Sequence, residues 1–425
     1  MGIRKLALAV VACVCVVAAG CSTTTTGTAR FGGSLSDPEP DVSQLRTGNY
    51  QIKPSTPFFS AGPNPLTQSI IESTRLAEYV VGPWEIDSSV TKQGALGTGT
   101  MTSEFGVDVI LGVSKDNVMQ GIARAHKLVA GFGSSRSAGA RDTDLEIQNA
   151  VLMFPDEAQA AAAAGEFTAQ FGPVVVDRIP TYPVQISVGA SSVPAIGVDY
   201  GTGVSAVAAY SAYGRFVLYQ FVNARATKST RAPLRAELLT SDLLGRQQAL
   251  IKSFVPTEPA KLADLPKDPS DDQLLSKTIS TPDRQQGVLI GTWRPRAWLH
   301  FESDPVSMTT QFERAGVQWV TQRWGRVYQA PNPDSAAQLL DFTTAALMKN
   351  SDVQLAGAVP GFPGARCFEH LQDYARPDAT VTWRILGWHY SCIARTDRFV
   401  FQVFADDETA VDQQISAQYR VLSGK

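Results

Sequence analysis

The sequence predicts an α+β protein of two related domains, each an antiparallel sheet with helices packed on one face. Three observations carry this expectation. Short motifs recur in the same order in the two halves of the chain. The recurring stretches hold apolar or alternating runs joined by short turns, the pattern of antiparallel hairpins. Each half also has an Ala-rich helical stretch opened by Pro and an acid, chemistry that suits a helix start.

The repeat is legible residue by residue. Phe154-Pro155-Asp156-Glu157-Ala158 opens a helix to about Phe171, and Asn332-Pro333-Asp334-Ser335-Ala336 opens another to about Lys349. Val184-Gln185-Ile186 recurs as Val353-Gln354-Leu355, and Val193-Pro194 as Phe362-Pro363 at the same offset. Arg215-Phe216-Val217 and Phe221 recur as Arg398-Phe399-Val400 and Phe404, and Gln247-Gln248 as Gln413-Gln414. Hairpins are expected from residues 205–210 into 215–223 and from 381–394 into 398–405.

Taken in order, residues 1–20 read as a lipoprotein export signal. Arg4 and Lys5 precede an apolar run from Leu6 to Ala19, and Ala18-Ala19-Gly20 stand before Cys21. That run has signal-peptide length and is short for a membrane span. Cys21 is the expected lipidation site; an ordinary cleaved signal or a start-anchor helix is the alternative. Residues 21–66, rich in Ser, Thr, Gly and Pro, read as a lipidated terminus and flexible tether. The first domain is expected over 67–254, with helical spacing over 116–132 (Val118, Ile122, Ala125 and Val129 on one face) and a Gly/Ser loop at 131–139. Residues 255–286, with five prolines and many charges, read as the linker. The second domain follows over 287–425.

Composition bounds the function. Apolar residues make up 44% of the chain, enough for real cores, and the net charge is −3. That mild acidity argues against nucleic acid, whose phosphates want a basic face. No polybasic stretch addresses an anionic bilayer, so membrane attachment would come from lipid alone. Cys13 and Cys15 would leave with the signal. Cys367 and Cys392 remain, and a disulfide between them would close about 24 intervening residues for roughly 3 kcal/mol. Extrapolated along the repeat, Cys392 corresponds to Ala209 and Cys367 to Val198, small apolar positions that suit an inward bridge. Two free thiols are the alternative.

Little chemistry is visible. There is no Gly-x-Ser-x-Gly elbow, no His-Glu-x-x-His, no P-loop Lys beside the glycines at 131–133, and no calcium loop. No metal site and no cofactor is expected. His370 and His389 could meet on adjacent strands as a metal or acid/base pair, or be ordinary strand histidines. Six of seven tryptophans, Trp293, Trp298, Trp319, Trp324, Trp383 and Trp388, fall in the second half. They could line a site for sugar rings or acyl chains, or simply pack. Trp293, Trp298 and His300 are the candidate ligand-binding residues. Strand alternation would put Trp298 and His300 on one face, with Pro295 at an edge or bend.

Four stretches carry a family resemblance: Arg46-Thr47-Gly48-Asn49-Tyr50, Arg75-Leu76-Ala77-Glu78-Tyr79-Val80-Val81, Ala125-His126-Lys127-Leu128-Val129-Ala130-Gly131-Phe132, and Ala150-Val151-Leu152-Met153-Phe154-Pro155-Asp156. Together they resemble a family of actinobacterial, chiefly mycobacterial and nocardial, envelope lipoproteins of uncharacterised function. Gln51 stands where that family usually has Pro. The resemblance implies an outer-leaflet lipoprotein with paired domains and brings no catalytic residues. The functional expectation is a lipid-anchored, extracytoplasmic, non-enzymatic protein that binds an envelope lipid, glycan or protein partner. The alternatives are a cell-wall hydrolase or transferase with a site in the second domain, and a scaffold for an envelope complex.

Overall fold

Strand pairing organises both halves of the chain. The computed structural model describes residues 38–93, 97–111, 117–139, 144–175, 179–280, 290–372 and 387–425. Arg4, Lys5, Cys13, Cys15 and Cys21 of the expected signal lie outside the described residues, as does Trp383.

The first half opens with helices α1 (Pro65–Leu76) and α2 (Pro83–Ile86), strands β1 (Lys92–Gln93) and β2 (Gly99–Met101), and helices α3 (Val107–Ile110) and α4 (Val118–Ala125). The repeated part follows: β3 (Ala130–Ala138), β4 (Leu145–Met153), α5 (Glu157–Val175), β5 (Thr181–Val188), β6 (Ser191–Asp199), β7 (Val204–Tyr213), β8 (Phe216–Arg225) and α6 (Ala232–Ile251). In the second half come β9 (Gly291–Trp293), α7 (Pro295–Trp298), α8 (Pro305–Ala315), β10 (Trp319–Gln322), β11 (Arg326–Gln329), α9 (Pro333–Met348), β12 (Val353–Leu355), β13 (Arg366–His370), β14 (Tyr390–Thr396), β15 (Phe399–Ala405) and α10 (Glu408–Ser423).

The duplication is topological. The first sheet runs β3-β4-β8-β7-β6-β5, with β1 and β2 both beside β3. The second runs β10-β11-β15-β14-β13-β12, with β9 beside β10. Strand for strand the order is the same, and the pairs are antiparallel. The α+β class and two antiparallel sheets are therefore as the repeat predicts.

Helix placement differs from the expectation of one covered face. Strand neighbours point to opposite sides, and both sides of each sheet are buried. In the first half α5 packs with Ala206, Ala208, Tyr210 and Val217, while α6 packs with the alternate set Val207, Ala209 and Leu218. In the second, α9 lies with Phe368, Ile393 and Val400, and α10 with Cys367, Cys392, Phe401 and Val403. This is why β7, β8 and β15 read as nearly unbroken apolar runs. Such runs mark a strand covered twice.

Helix starts follow the expected chemistry closely but not identically. Asn332 caps α9, its side chain accepting from Ser335 N at 2.9 Å, and Pro333 takes the first helical position. In the first half the cap is Asp156, which accepts from Gln159 N at 2.8 Å, so Pro155 sits just outside the helix. The helix expected over 116–132 is shorter, and residues 131–139 are not a surface loop. Ala130–Ala138 is β3, and all nine residues are buried. Glycine is needed there for close approach: a Cβ on Gly133 would stand 2.3 Å from Ile110 Cγ2.

Residues 38–66 do not form a free tether. Leu45 is buried against the second core, Asp41 N donates to Gly361 O at 2.8 Å, and Ser55 N donates to Ser276 O at 2.9 Å. Glu39 pairs with Lys425 at the other end of the chain. The stretch expected as a linker likewise includes packed structure, with Leu274 and Ile279 wholly buried in the second core.

Two glutamines show how the copies are held. Gln247 of α6 accepts from Val81 N at 2.9 Å and donates to Tyr79 O at 2.8 Å. Gln418 of α10 accepts from Ile279 N at 2.9 Å and donates to Lys277 O at 2.7 Å. Each clamps a backbone segment leading into its own half. Gln418, rather than Gln413-Gln414, is thus the counterpart of Gln247.

Cys367 and Cys392 face one another across β13 and β14 and are joined by a disulfide. In the first half Ile196 pairs with Ala208, which sets Ala195 opposite Ala209. Ala195, not Val198, stands where Cys367 stands, because hydrogen-bond register rather than a fixed sequence offset aligns the strands. Non-reducing peptide mapping should recover one Cys367–Cys392 linked peptide, and two alkylated thiols would contradict the pairing.

Candidate functional site

A cleft of about 650 Å³ opens between the halves. One wall is α1. Thr67, Ile70, Ile71 and Thr74 line it at spacings of three and four, one face of a helix. The opposite face of α1 buries Ser69, Glu72, Ser73 and Leu76. The other wall comes from the second half: Ile290 and Gly291 beside the free edge of β9, Trp319 at the start of β10, and Arg323 and Trp324 in the turn after it. Phe58, Leu265, Pro266, Lys267 and Pro269 close the sides.

The lining combines apolar surface from Ile70, Ile71 and the two indoles with the cations Lys267, Arg294 and Arg323. The Arg294 guanidinium lies over the Trp319 ring, 3.8 Å from its centroid. Arg323 donates to Leu275 O and Thr278 O, both at 3.1 Å, and stands over Phe58. Burial lowers its pKa. Arg75 is neutralised by Glu72 at 2.5 Å. Among the described residues no carboxylate pairs with Lys267, Arg294 or Arg323, and Glu78 is the single acid of the lining.

The candidate residues Trp293, Trp298 and His300 lie elsewhere, in the core between the halves. Their exposures are 1%, 0% and 1%. The chain here is not an alternating strand: β9 ends at Trp293, Pro295–Trp298 is helical, and Leu299–Phe301 forms a 3-10 turn. Pro295 starts that helix instead of bending an edge. Trp293, Trp298 and Phe301 pack ring against ring, and His300 meets Trp84 and Phe132 of the first half. None of the three side chains lines the cleft. Their placement here is that of packing residues.

Buried polar groups tie this seam together. Trp298 Nε1 donates to Glu302 Oε1 at 2.6 Å, Tyr328 Oη donates to the same oxygen at 2.9 Å, and Arg326 donates to Tyr328 Oη at 3.1 Å. Burial pushes the Tyr328 hydroxyl up, so it stays a donor. Arg136 crosses from β3, donating to Glu302 O at 2.6 Å, His300 O at 2.9 Å and Thr91 O at 2.6 Å, with its plane over Trp84. Burial pushes its pKa down to about 10, leaving it charged at neutral pH.

Burial, followed by the charges of Arg296 and Arg136, pushes the His300 imidazole down to about 3. Its unfolded value is about 6.5. The unfolded chain therefore takes up the proton first, and this contribution to stability is complete above about 6.5 and lost as pH falls toward 3. The stability gap between the native chain and His300→Gln should shrink steadily from pH 7 to pH 4 in denaturant titrations. A constant gap would contradict a neutral buried imidazole.

The remaining histidines form no catalytic constellation in the cleft. His126 meets Gln159 and Glu166, both at 2.9 Å, on the far face of the first half. His389 lies 3.5 Å from Glu369, which also accepts from Tyr390 at 3.1 Å. His370 and His389 do stand on neighbouring segments, joined by a backbone bond of 2.8 Å, but His370 packs on Trp388. The sulfurs of Cys367 and Cys392 approach Asp412 within 4.8 Å, yet the disulfide leaves no thiolate to bind a metal. The sequence missed α1 as a cleft wall, although its spacing of Thr67, Ile70, Ile71 and Thr74 was there to find. It did single out Trp319 and Trp324 within the second-half group.

Comparison with known proteins agrees with the duplication. No curated protein matches the chain. Among solved structures, the extracellular domain of PknH from Mycobacterium tuberculosis aligns at 12% identity over 42% of this chain and 96% of that one, with a TM-score of 0.25. The model for the domain of unknown function DUF7373, N-terminal, matches residues 59–267, and that for DUF7373, C-terminal, matches residues 272–425. The boundary between these matches falls just before the Leu274–Ile279 segment that packs into the second core, and the chain belongs to the DUF7373 family.

Proposed function

We propose that this chain is a lipid-anchored, extracytoplasmic, non-enzymatic protein that binds a ligand in the cleft between its two related halves. The observation that carries the binding role is the cleft itself. Its volume lies in the range of small-molecule sites, about 300–1,000 Å³, and residues from both halves build it. Duplication supplies such a cleft without new catalytic parts. Among the described residues no histidine lines the cleft, which favours binding over the hydrolase or transferase alternative.

Localisation rests on residues 1–21 and on the resemblance to actinobacterial envelope lipoproteins. Among the described residues no helix is long and apolar enough to cross a membrane. Lipid on Cys21 is the proposed attachment. Cells fed an alkyne fatty acid should label the native chain and leave Cys21→Ala unlabelled; equal labelling would overturn the anchor.

The binding role is tested by purifying the protein from its own envelope and identifying co-purifying molecules by mass spectrometry. The native chain should carry a bound species that Ile71→Trp, which fills the cleft, loses. Equal recovery from both, or none from either, would overturn the reading.

A further inference from the structure

The chemistry of the cleft narrows its ligand, on the footing that the cleft is the binding site. Lys267, Arg294 and Arg323 reach the lining without a carboxylate partner among the described residues. Arg294 is exposed and held flat on Trp319 rather than folded into a hydrogen-bond network. A neutral apolar occupant would strip water from these cations and return nothing, which is costly. A small hydrophilic anion would answer the charge but leave Ile70, Ile71 and the two indoles in contact with water. One class satisfies both surfaces.

We propose that the interdomain cleft binds an anionic amphiphile. The lining cations Arg294 and Lys267 each offer the acidic head, a carboxylate or phosphate, charge-assisted hydrogen bonds. The α1 face and Trp319 and Trp324 cover the apolar body. Arg323, whose N–H groups already serve two carbonyls, lies at the other end of the β9–β10 ladder from Arg294 and adds positive charge to the lining there. The two half-molecules divide the work: α1 of the first supplies apolar surface, and the β9–β10 end of the second supplies most of the charge.

The mature chain, residues 21–425, contains every described residue and can be tested directly. Bromine-labelled dodecanoate is titrated while tryptophan emission is followed, because Trp319 and Trp324 are in the cleft and bromine quenches at contact. Saturable quenching is expected. Dodecyl phosphate should displace the probe, dodecanol should do so at least ten-fold less well, and inorganic phosphate should not displace it. The double variant Arg294→Gln, Lys267→Gln should weaken binding roughly ten-fold or more without changing the melting temperature. Ile71→Trp should abolish binding.

Each contrary result has a distinct meaning. Dodecanol competing as well as dodecyl phosphate, with the double variant binding normally, overturns the anionic class and leaves the cleft as the site. Inorganic phosphate competing as well as dodecyl phosphate overturns the amphiphile. Ile71→Trp binding like the native chain removes the ligand from the cleft and overturns both readings. No quenching by the probe overturns the amphiphile alone, since the co-purification experiment judges the cleft separately.

Discussion

Replacing Arg136 with Ala should destabilise the protein by about 3–5 kcal/mol, because several buried carbonyls lose their donor at once. The guanidinium has no exposed surface, and the carbonyls of Thr91, His300 and Glu302 accept its closest hydrogen bonds. Two of these, His300 O and Glu302 O, belong to the second half, so one side chain of β3 satisfies carbonyls on both sides of the seam. Each carbonyl left without a donor costs roughly 1–3 kcal/mol. Arg136→Lys should recover only part of the loss, because an ammonium on a flexible stem cannot reproduce the fork that reaches Thr91 on one side and residues 300–302 on the other. Chemical denaturation checks the magnitude. A loss under about 1 kcal/mol would mean that water or a neighbouring donor replaces the guanidinium, and the seam would not depend on it.

Trp298→Ala should be as damaging, about 3–5 kcal/mol. The indole is fully buried among Trp293, Phe301 and the Arg326 guanidinium, and its N–H is one of two side-chain donors to Glu302 Oε1. Truncation leaves a cavity and takes one hydrogen bond from a buried carboxylate. The same variant separates packing from ligand contact. At temperatures where it remains folded it should retain whatever the native chain carries, because its side chain does not line the cleft. Loss of ligand with an unchanged melting temperature would restore Trp298 as a contact residue and refute the packing role.

The behaviour of these two residues shows where local reasoning stops. Trp298 and His300 were singled out as a strand pair because alternation is the local rule for an extended chain. Pro295 at the first position of a helix changes the period, and the helix delivers both side chains to the seam. Gly131 to Gly139 read as a loop because glycine and serine are common in loops. In the folded chain small residues are required there, since α3 packs close against β3 and Gly133 faces Ile110. Residues 38–66 escape a tether reading for a related reason. Leu45 and Tyr50 are isolated apolar residues in a polar stretch, and only the presence of the second core makes them buried or partly buried partners.

What the sequence determined by itself is periodic or local: the duplication, the α+β class, the antiparallel hairpins, the helix start at Pro333 and the pairing of Cys367 with Cys392. These depend on spacing within a strand or helix, or on short-range backbone chemistry, and two copies of a pattern reinforce each other. The tertiary structure alone decided which faces of the sheets are covered, that Gln418 answers Gln247, that Arg136 bolts the halves together, and that α1 and the β9–β10 end enclose a cationic, apolar cleft. Apart from the covered sheet faces, those features join residues more than a hundred positions apart. Burial and hydrogen-bond partnership are properties of the folded assembly, and no window of sequence contains both partners.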